Sequence, residues 1–187
     1  MATESSTLDL DLDFLASVEM FSAFSRDELA EIAEDAESNW YEFGDVVCAT
    51  GAPSTGVQVI KTGSVRLFTQ EENKEISLGL RKAGDVFAEL AALREMPHEF
   101  SVRASAKAEL LTIPRATIAR LLSKNAGAGA FINSYVALRT VGGVVNRLFE
   151  LRGKVDKEEL EKLVRSVGAK RVQAGSVLLE QGSSDDK

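Results

Sequence analysis

The sequence predicts a mainly β domain with flanking helices, an α+β arrangement in which a β sandwich or roll is followed by one long helix and the opening of a second copy. Three observations carry this. Short apolar or alternating runs of about five residues, separated by Gly corners, fill the stretch from Trp40 to Ile113, the texture of an all-β sandwich or roll. On either side of it the apolar spacing changes to that of a helix. An ungapped shift of 131 residues then lays the head of the chain on its tail.

Residues 1–13, MATESSTLDLDLD, are polar and acidic and read as a loose arm. Without a basic or an apolar region they are no signal peptide. Phe14, Val18 and Phe21 open a helical stretch that reaches about Ser38. Ser25 as N-cap, with Glu28 three residues on, makes a capping box. Leu29, Ile32, Ala33 and Ala36 then recur at helical spacing.

The roll is expected over about residues 40–113. Trp40–Phe43 precedes the corner Gly44-Asp45, and Val46–Cys48 runs to Gly51. Val57–Ile60 runs to Thr62-Gly63, and Ser64–Phe68 ends in the polar turn Gln70–Lys74. Ile76–Leu80 runs to Gly84-Asp85, and Leu110–Ile113 closes at Pro114. Glycine at each corner permits the positive φ that a tight turn demands.

After Pro114 the spacing of Ile118, Leu121 and Leu122 predicts a short helix, and Asn125–Ala130 a Gly/Ala bridge. A long helix follows over about residues 127–152, with its apolar spacing set from Phe131 onward. Phe131, Tyr135, Leu138 and Val145 fall in fours and threes, with Gly142 filling one slot. That seam could pair with a second helix, in the same chain or in a homodimer, or simply cover the roll. Gly142-Gly143 marks a kink, a hinge or a close helix crossing.

The 131-residue shift places Asp27 on Glu158, Glu28 on Glu159, Leu29 on Leu160 and Ile32 on Leu163. It also lays Gly44 on Gly175, Val46 on Val177 and Gly51 on Gly182. Helix, strand and corners in one register indicate a repeat. The expected domains are therefore 14–152 and, over 153–187, the truncated start of a second such domain. The chain reads as part of a longer protein, and its nearest partner as the rest of that protein.

With 44% apolar and 27% charged residues, 187 residues can bury a core. The net charge of −7, with no basic run, argues against nucleic acid. No apolar run approaches the ~20 residues of a membrane span. Cys48 is the only cysteine, which fits a reducing, cytoplasmic compartment. The single His, His98, argues against an enzyme on a cupin-like roll, which would want clustered metal ligands. No Ser/His/Asp or Cys/His set can be assembled, so no catalytic or metal-binding residue is expected.

The stretch Gly84–Ala104, GDVFAELAALREMPHEFSVRA, is the candidate site. It reads as a strand ending at a Gly-Asp corner, a short helical turn, a loop and a return strand. A short helix entered from a tight corner gathers free N–H groups at one spot, a cradle for phosphate. Glu89 lies at its mouth, where a carboxylate could accept hydrogen bonds from sugar hydroxyls. A cation at the end of the loop is missing.

Gly44-x6-Gly51-x11-Gly63-Ser64-Val65, then Gly84-Asp85-x3-Glu89-Leu90, resembles the cyclic nucleotide-binding domain family over about residues 14–150. The resemblance implies a double-stranded β-helix or jelly-roll-like fold, one helix before it and two after it. It implies a cyclic nucleotide, cAMP or cGMP, as the candidate ligand. The family's cassette runs Gly-Glu-Leu, a loop, then Arg-Ser/Thr-Ala; the Glu bonds the ribose and the Arg pairs with the phosphate. Here Ala88, Glu89, Leu90 and Ala91 open the cassette. Anchored on Val102-Arg103-Ala104, its Arg-Ser-Ala positions fall on His98, Glu99 and Phe100. The phosphate Arg is absent. His98 could replace it only if protonated, and its ordinary pKa of about 6.5 leaves it mostly neutral. Arg103 could serve if the loop register slips, and Arg94 is a weaker candidate.

The resemblance thus implies a regulatory or scaffolding domain, not an enzyme, with cyclic nucleotide binding weak or absent. The alternative is a live sensor of cAMP, cGMP or a cyclic dinucleotide, with a non-standard cassette that moves the 127–152 helix. Tandem rolls joined by VGGVVNRLFELRGKVDKEELEKLV also resemble the N-terminal region of bacterial peptidase-containing ABC exporters, which implies a transporter as the parent protein.

Overall fold

The computed structural model describes residues 11–72 and 74–149, with residues 71 and 141–149 as backbone alone. The second-copy assignment to residues 153–187 lies outside them, as do residues 1–10 of the expected arm. Residues 11–17 are already helical (α1), with Leu12 and Leu15 buried, so the helix begins before Phe14. A 3-10 turn, Glu19–Phe21, leads to α2, Arg26–Asp35. The capping box is in place: Ser25 N donates to Glu28 Oε2 at 2.8 Å, and Glu28 N to Ser25 Oγ at 3.3 Å.

Among the described residues, eight strands form two four-stranded antiparallel sheets. The strands are β1 (Glu37–Tyr41), β2 (Val46–Cys48), β3 (Gly56–Thr62), β4 (Ser64–Glu71), β5 (Lys74–Lys82), β6 (Val86–Phe87), β7 (Ser101–Ala104) and β8 (Ala108–Pro114). One sheet runs β1-β8-β3-β6, the other β2-β7-β4-β5. After them come α3 (Glu89–Arg94, between β6 and β7), α4 (Arg115–Lys124) and α5 (Ala126–Phe149). The mainly β fold with flanking helices is as expected.

Three boundaries differ from expectation. Glu37 and Ser38 belong to β1 and not to a helix, because Thr112 and Leu111 of β8 pair with them. The β4 and β5 strands run into the expected polar turn, to the pair Glu71–Lys74. The Asn125–Ala130 bridge is helical from Ala126: Asn125 Oδ1 accepts from Ala128 N at 2.9 Å and caps α5, which offsets the weak propensity of Gly127 and Gly129. The helical backbone of α5 also continues through Gly142 and Gly143.

The centre of the first sheet is buried on both faces, which is why β3 and β8 read as nearly continuous apolar runs, while its edge strand β1 is exposed. Val57, Val59, Leu111 and Ile113 face the helices and pack with Leu15, Phe21, Ile32, Ile118 and Ile132. Ile60, Ala108 and Leu110 face the other way, into the roll, where they meet Val65, Leu67 and Val102 of the second sheet. Each fully buried side chain of this size contributes roughly 1.5–3 kcal/mol. The chain divides into compact units at Val136. On the first unit's side, α5 buries Ala128, Ile132 and Val136, spaced by four, while Phe131 and Tyr135 stack at 6.3 Å and pack against the same core. This part of α5 covers the roll.

Gly63 shows how tightly one corner is drawn. It adopts φ +78°, and a Cβ there would lie 2.1 Å from the carbonyl oxygen of Lys107. Any side chain there would force the backbone of Lys107–Ala108 to shift.

Candidate functional site

β6 ends at Phe87, and Ala88, the N-cap of α3, adopts the left-handed conformation, φ +60° and ψ 9°, and so turns the chain into α3. Glycine takes this conformation without strain; alanine holds it at a cost of about 1 kcal/mol. The methyl group is buried in the roll interior, which offsets part of that cost. Glu89 is the first residue of α3 and is only 9% exposed. Ala91 and Ala92 are buried below it, and Leu90 packs against the helix-side core. A second left-handed residue, Glu95 at φ +55°, ends α3, with Met96 N bonded to Ala91 O at 3.0 Å.

The loop that follows is stitched to the β2–β3 corner. His98 N donates to Ala52 O at 2.9 Å, and Gly51 N to His98 O at 2.8 Å. Pro53 and Pro97 form an isolated bridge beside them. Thr50 N donates to Ser101 Oγ at 3.0 Å. These bonds fix the loop from both ends.

They also decide where the cassette side chains go. His98 is not an exposed loop residue; it is 7% exposed. Burial pushes its imidazole pKa down, so at neutral pH the ring is uncharged. Glu99 points to solvent. Phe100 is half-buried and packs on the roll-interior cluster, together with Tyr41, Val47, Cys48 and Leu78.

Arg103 lies between Val102 and Ala104, whose side chains are buried in the roll, and so projects from the opposite face of β7. There its Nη2 lies 3.0 Å from Glu75 Oε1, and its guanidinium stacks over Phe68 at 5.2 Å. Arg66 binds the same carboxylate and the same ring. Arg94 is exposed at the end of α3, and Arg115 pairs with Glu95 at 2.6 Å. Glu89, His98 and Phe100 thus lie at the cassette, while Arg103 is engaged elsewhere.

Tyr41, Val47, Cys48 and Leu78 are lining residues that sequence reasoning did not single out. Alternation alone could not have found Val47 and Cys48 together, since they are neighbours in β2 and both pack inward where the β2–β7 register is irregular. Burial pushes the Cys48 thiol up to about 11, which leaves it protonated and unreactive at neutral pH. Among the described residues, no group of three His, Cys, Asp or Glu side chains could hold a metal ion, and no helix is long and apolar enough to cross a membrane.

The cassette positions thus carry a buried carboxylate at Glu89, a buried imidazole at His98 and a half-buried ring at Phe100, on a loop held at both ends. An anionic phosphate needs a cation or several free donors.

Residues 39–125 match the cyclic nucleotide-binding domain family model. A candidate potassium channel protein of Rhodopseudomonas palustris is 27% identical over 144 residues, 76% of this chain and 34% of that protein. This chain thus spans about a third of that relative's length. Among solved structures, the regulatory domain of Toxoplasma gondii PKA with cAMP superposes with a TM-score of 0.59 at 22% identity, covering 65% of this chain and 50% of that one. The regulatory subunit of a cAMP-independent protein kinase A from Trypanosoma brucei gives 0.56 at 19% identity, covering 66% and 48%. The fold is thus shared with a relative holding cAMP and with one from a cAMP-independent kinase.

Proposed function

We propose, from the match of residues 39–125 to the cyclic nucleotide-binding domain family model, that this domain is a regulatory or scaffolding module in which the nucleotide cassette is disabled. One observation carries the reading. His98, at the position where the resemblance expects the phosphate arginine, is buried and uncharged. Truncating one partner of a buried charge pair costs about 2–5 kcal/mol or more, roughly 30- to several-thousand-fold in affinity. Glu99 adds a negative charge nearby, and Phe100 takes space in the roll interior where the family has a small residue.

The module would act through its packed surfaces and α5, within a larger cytoplasmic or membrane-associated protein. The sequence resemblance to peptidase-containing ABC exporters supplies one such context, and a homodimer through α5 another mode of assembly. A second reading, a live nucleotide sensor, is favoured by Glu89, which keeps its place in the first turn of α3 and is buried there. A ligand would then act by binding one arrangement of the loop and helix better than another.

Calorimetric titration with cAMP, cGMP and cyclic di-GMP at pH 6 and 7.5 separates the two. Wild type is expected to show no saturable heat up to about 1 mM ligand. The variant His98→Arg/Glu99→Ser/Phe100→Ala is expected to gain binding. Micromolar binding by wild type would overturn the disabled-cassette reading.

A further inference from the structure

A concavity opens beside the cassette loop, between it, the β2–β3 corner and the start of α4. It has a volume of about 610 Å³, and its wall includes Pro53, Ser54, Met96, Pro97, Pro114 and Arg115. All three prolines of the chain lie in this wall. Proline offers no N–H and a fixed φ, so these surfaces are apolar and rigid before any ligand arrives. The volume is of small-molecule size, in a concavity that is open to solvent and lined about equally by polar and apolar surface.

Two charged groups meet at the rim. Arg115 Nη1 lies 2.6 Å from Glu95 Oε2, with the side chains 43% and 70% exposed. A pair so open to water is weakly held and exchanges readily. The arginine therefore already holds a carboxylate, one that a ligand can replace.

We propose that this cleft binds a small apolar carboxylate, aryl or alkyl. Its hydrophobic body lies on Pro53, Met96 and Pro97, and its carboxylate takes the place of Glu95 on Arg115. Glu95 then acts as a built-in competitor that keeps the cleft closed to weak ligands. Occupancy would be felt at the cassette loop, since Pro97 bridges to Pro53 and precedes His98. None of this depends on whether the cassette itself binds a nucleotide.

The test is an amide-resolved NMR titration of the full 187-residue chain with 3-phenylpropionate, beside the uncharged 3-phenylpropionamide. Saturable shifts are expected at Glu95, Met96, Arg115 and Ala116, with the amide compound about tenfold weaker or worse. Arg115→Gln is expected to weaken binding by about tenfold, and Glu95→Gln to strengthen it several-fold. Both positions are exposed, and unchanged spectral dispersion will show that each variant folds. The proposal fails if no shift saturates below about 10 mM, if the amide compound binds equally well, or if the two variants change affinity in the same direction.

Discussion

Asn125 holds Glu28 from 97 positions away, its Nδ2 donating to both carboxylate oxygens at 3.1 and 3.2 Å. Its Oδ1 meanwhile accepts from Ala128 N at 2.9 Å. One asparagine thus caps α5 and is tied to the residue that completes the cap of α2. The starts of two helices are set by a single pair.

Replacing Asn125 with Ala should therefore cost more than an ordinary cap, about 1–2 kcal/mol. Urea unfolding would measure it. The Glu28 carboxyl is held below its usual pKa, chiefly by the Ser25 amide and then by Asn125. A depressed carboxylate stabilises the fold above its ordinary pKa, about 4.3, and loses that contribution as pH falls through its lower folded value. Glu28→Gln should flatten the acid limb of the stability curve.

Lys61 bridges Asp11 of α1 and Glu109 of β8, at 2.7 and 2.9 Å, with the three side chains 11–20% exposed. Burial pushes the lysine pKa down, but its hydrogen bonds to Asp11 and Glu109 and their charges outweigh it, so the net shift is upward. Lys61→Met leaves two carboxylates facing each other and should cost about 3 kcal/mol. Lys61→Met/Glu109→Gln should recover part of the loss. Equal stability of the single and double variants would refute the charge argument.

Two glycines separate backbone strain from collision. Gly63→Ala must accept both φ +78° and a Cβ 2.1 Å from Lys107 O, so a loss of at least about 2–3 kcal/mol is expected. Gly79→Ala meets only φ +132° and a flexible Arg81 side chain at 3.4 Å, so about 1–2 kcal/mol should suffice. Thermal unfolding of the two variants gives the comparison.

His98 makes a prediction in pH. Its folded pKa is lowered by burial, so the unfolded chain takes up the proton first. Stability should fall as pH drops from about 6.5 toward the lower folded value. His98→Gln should remove that dependence, read as Tm between pH 5 and 7.5. An unchanged slope would mean that the imidazole is free to charge in place.

Local chemistry was legible in the sequence wherever neighbours in the chain decide the outcome. The Ser25–Glu28 cap and the Gly44, Gly51, Gly63 and Gly84 corners needed only short-range rules. Glu37 and Ser38 did not, because polar residues become a strand only when β8 lies beside them. The burial of His98 was equally hidden: it follows from backbone bonds to Gly51 and Ala52, remote in sequence. The motif marked the cassette residues, yet the partner that holds Arg103, Glu75 on β5, carried no signal at all. Helical capping in Asn125 was present in the residue type but masked by the glycines after it.

The pairing of β1 with β8 has a consequence for how this chain is made. Residue 37 must find residue 112, so the first and last strands of the roll meet only after everything between them has been synthesised. Such a long-range closure is slow, since its loop entropy comes before its reward. On a ribosome, the exposed β1 edge would wait for Pro114 to emerge, and a chaperone that shields nascent strands would act during that interval.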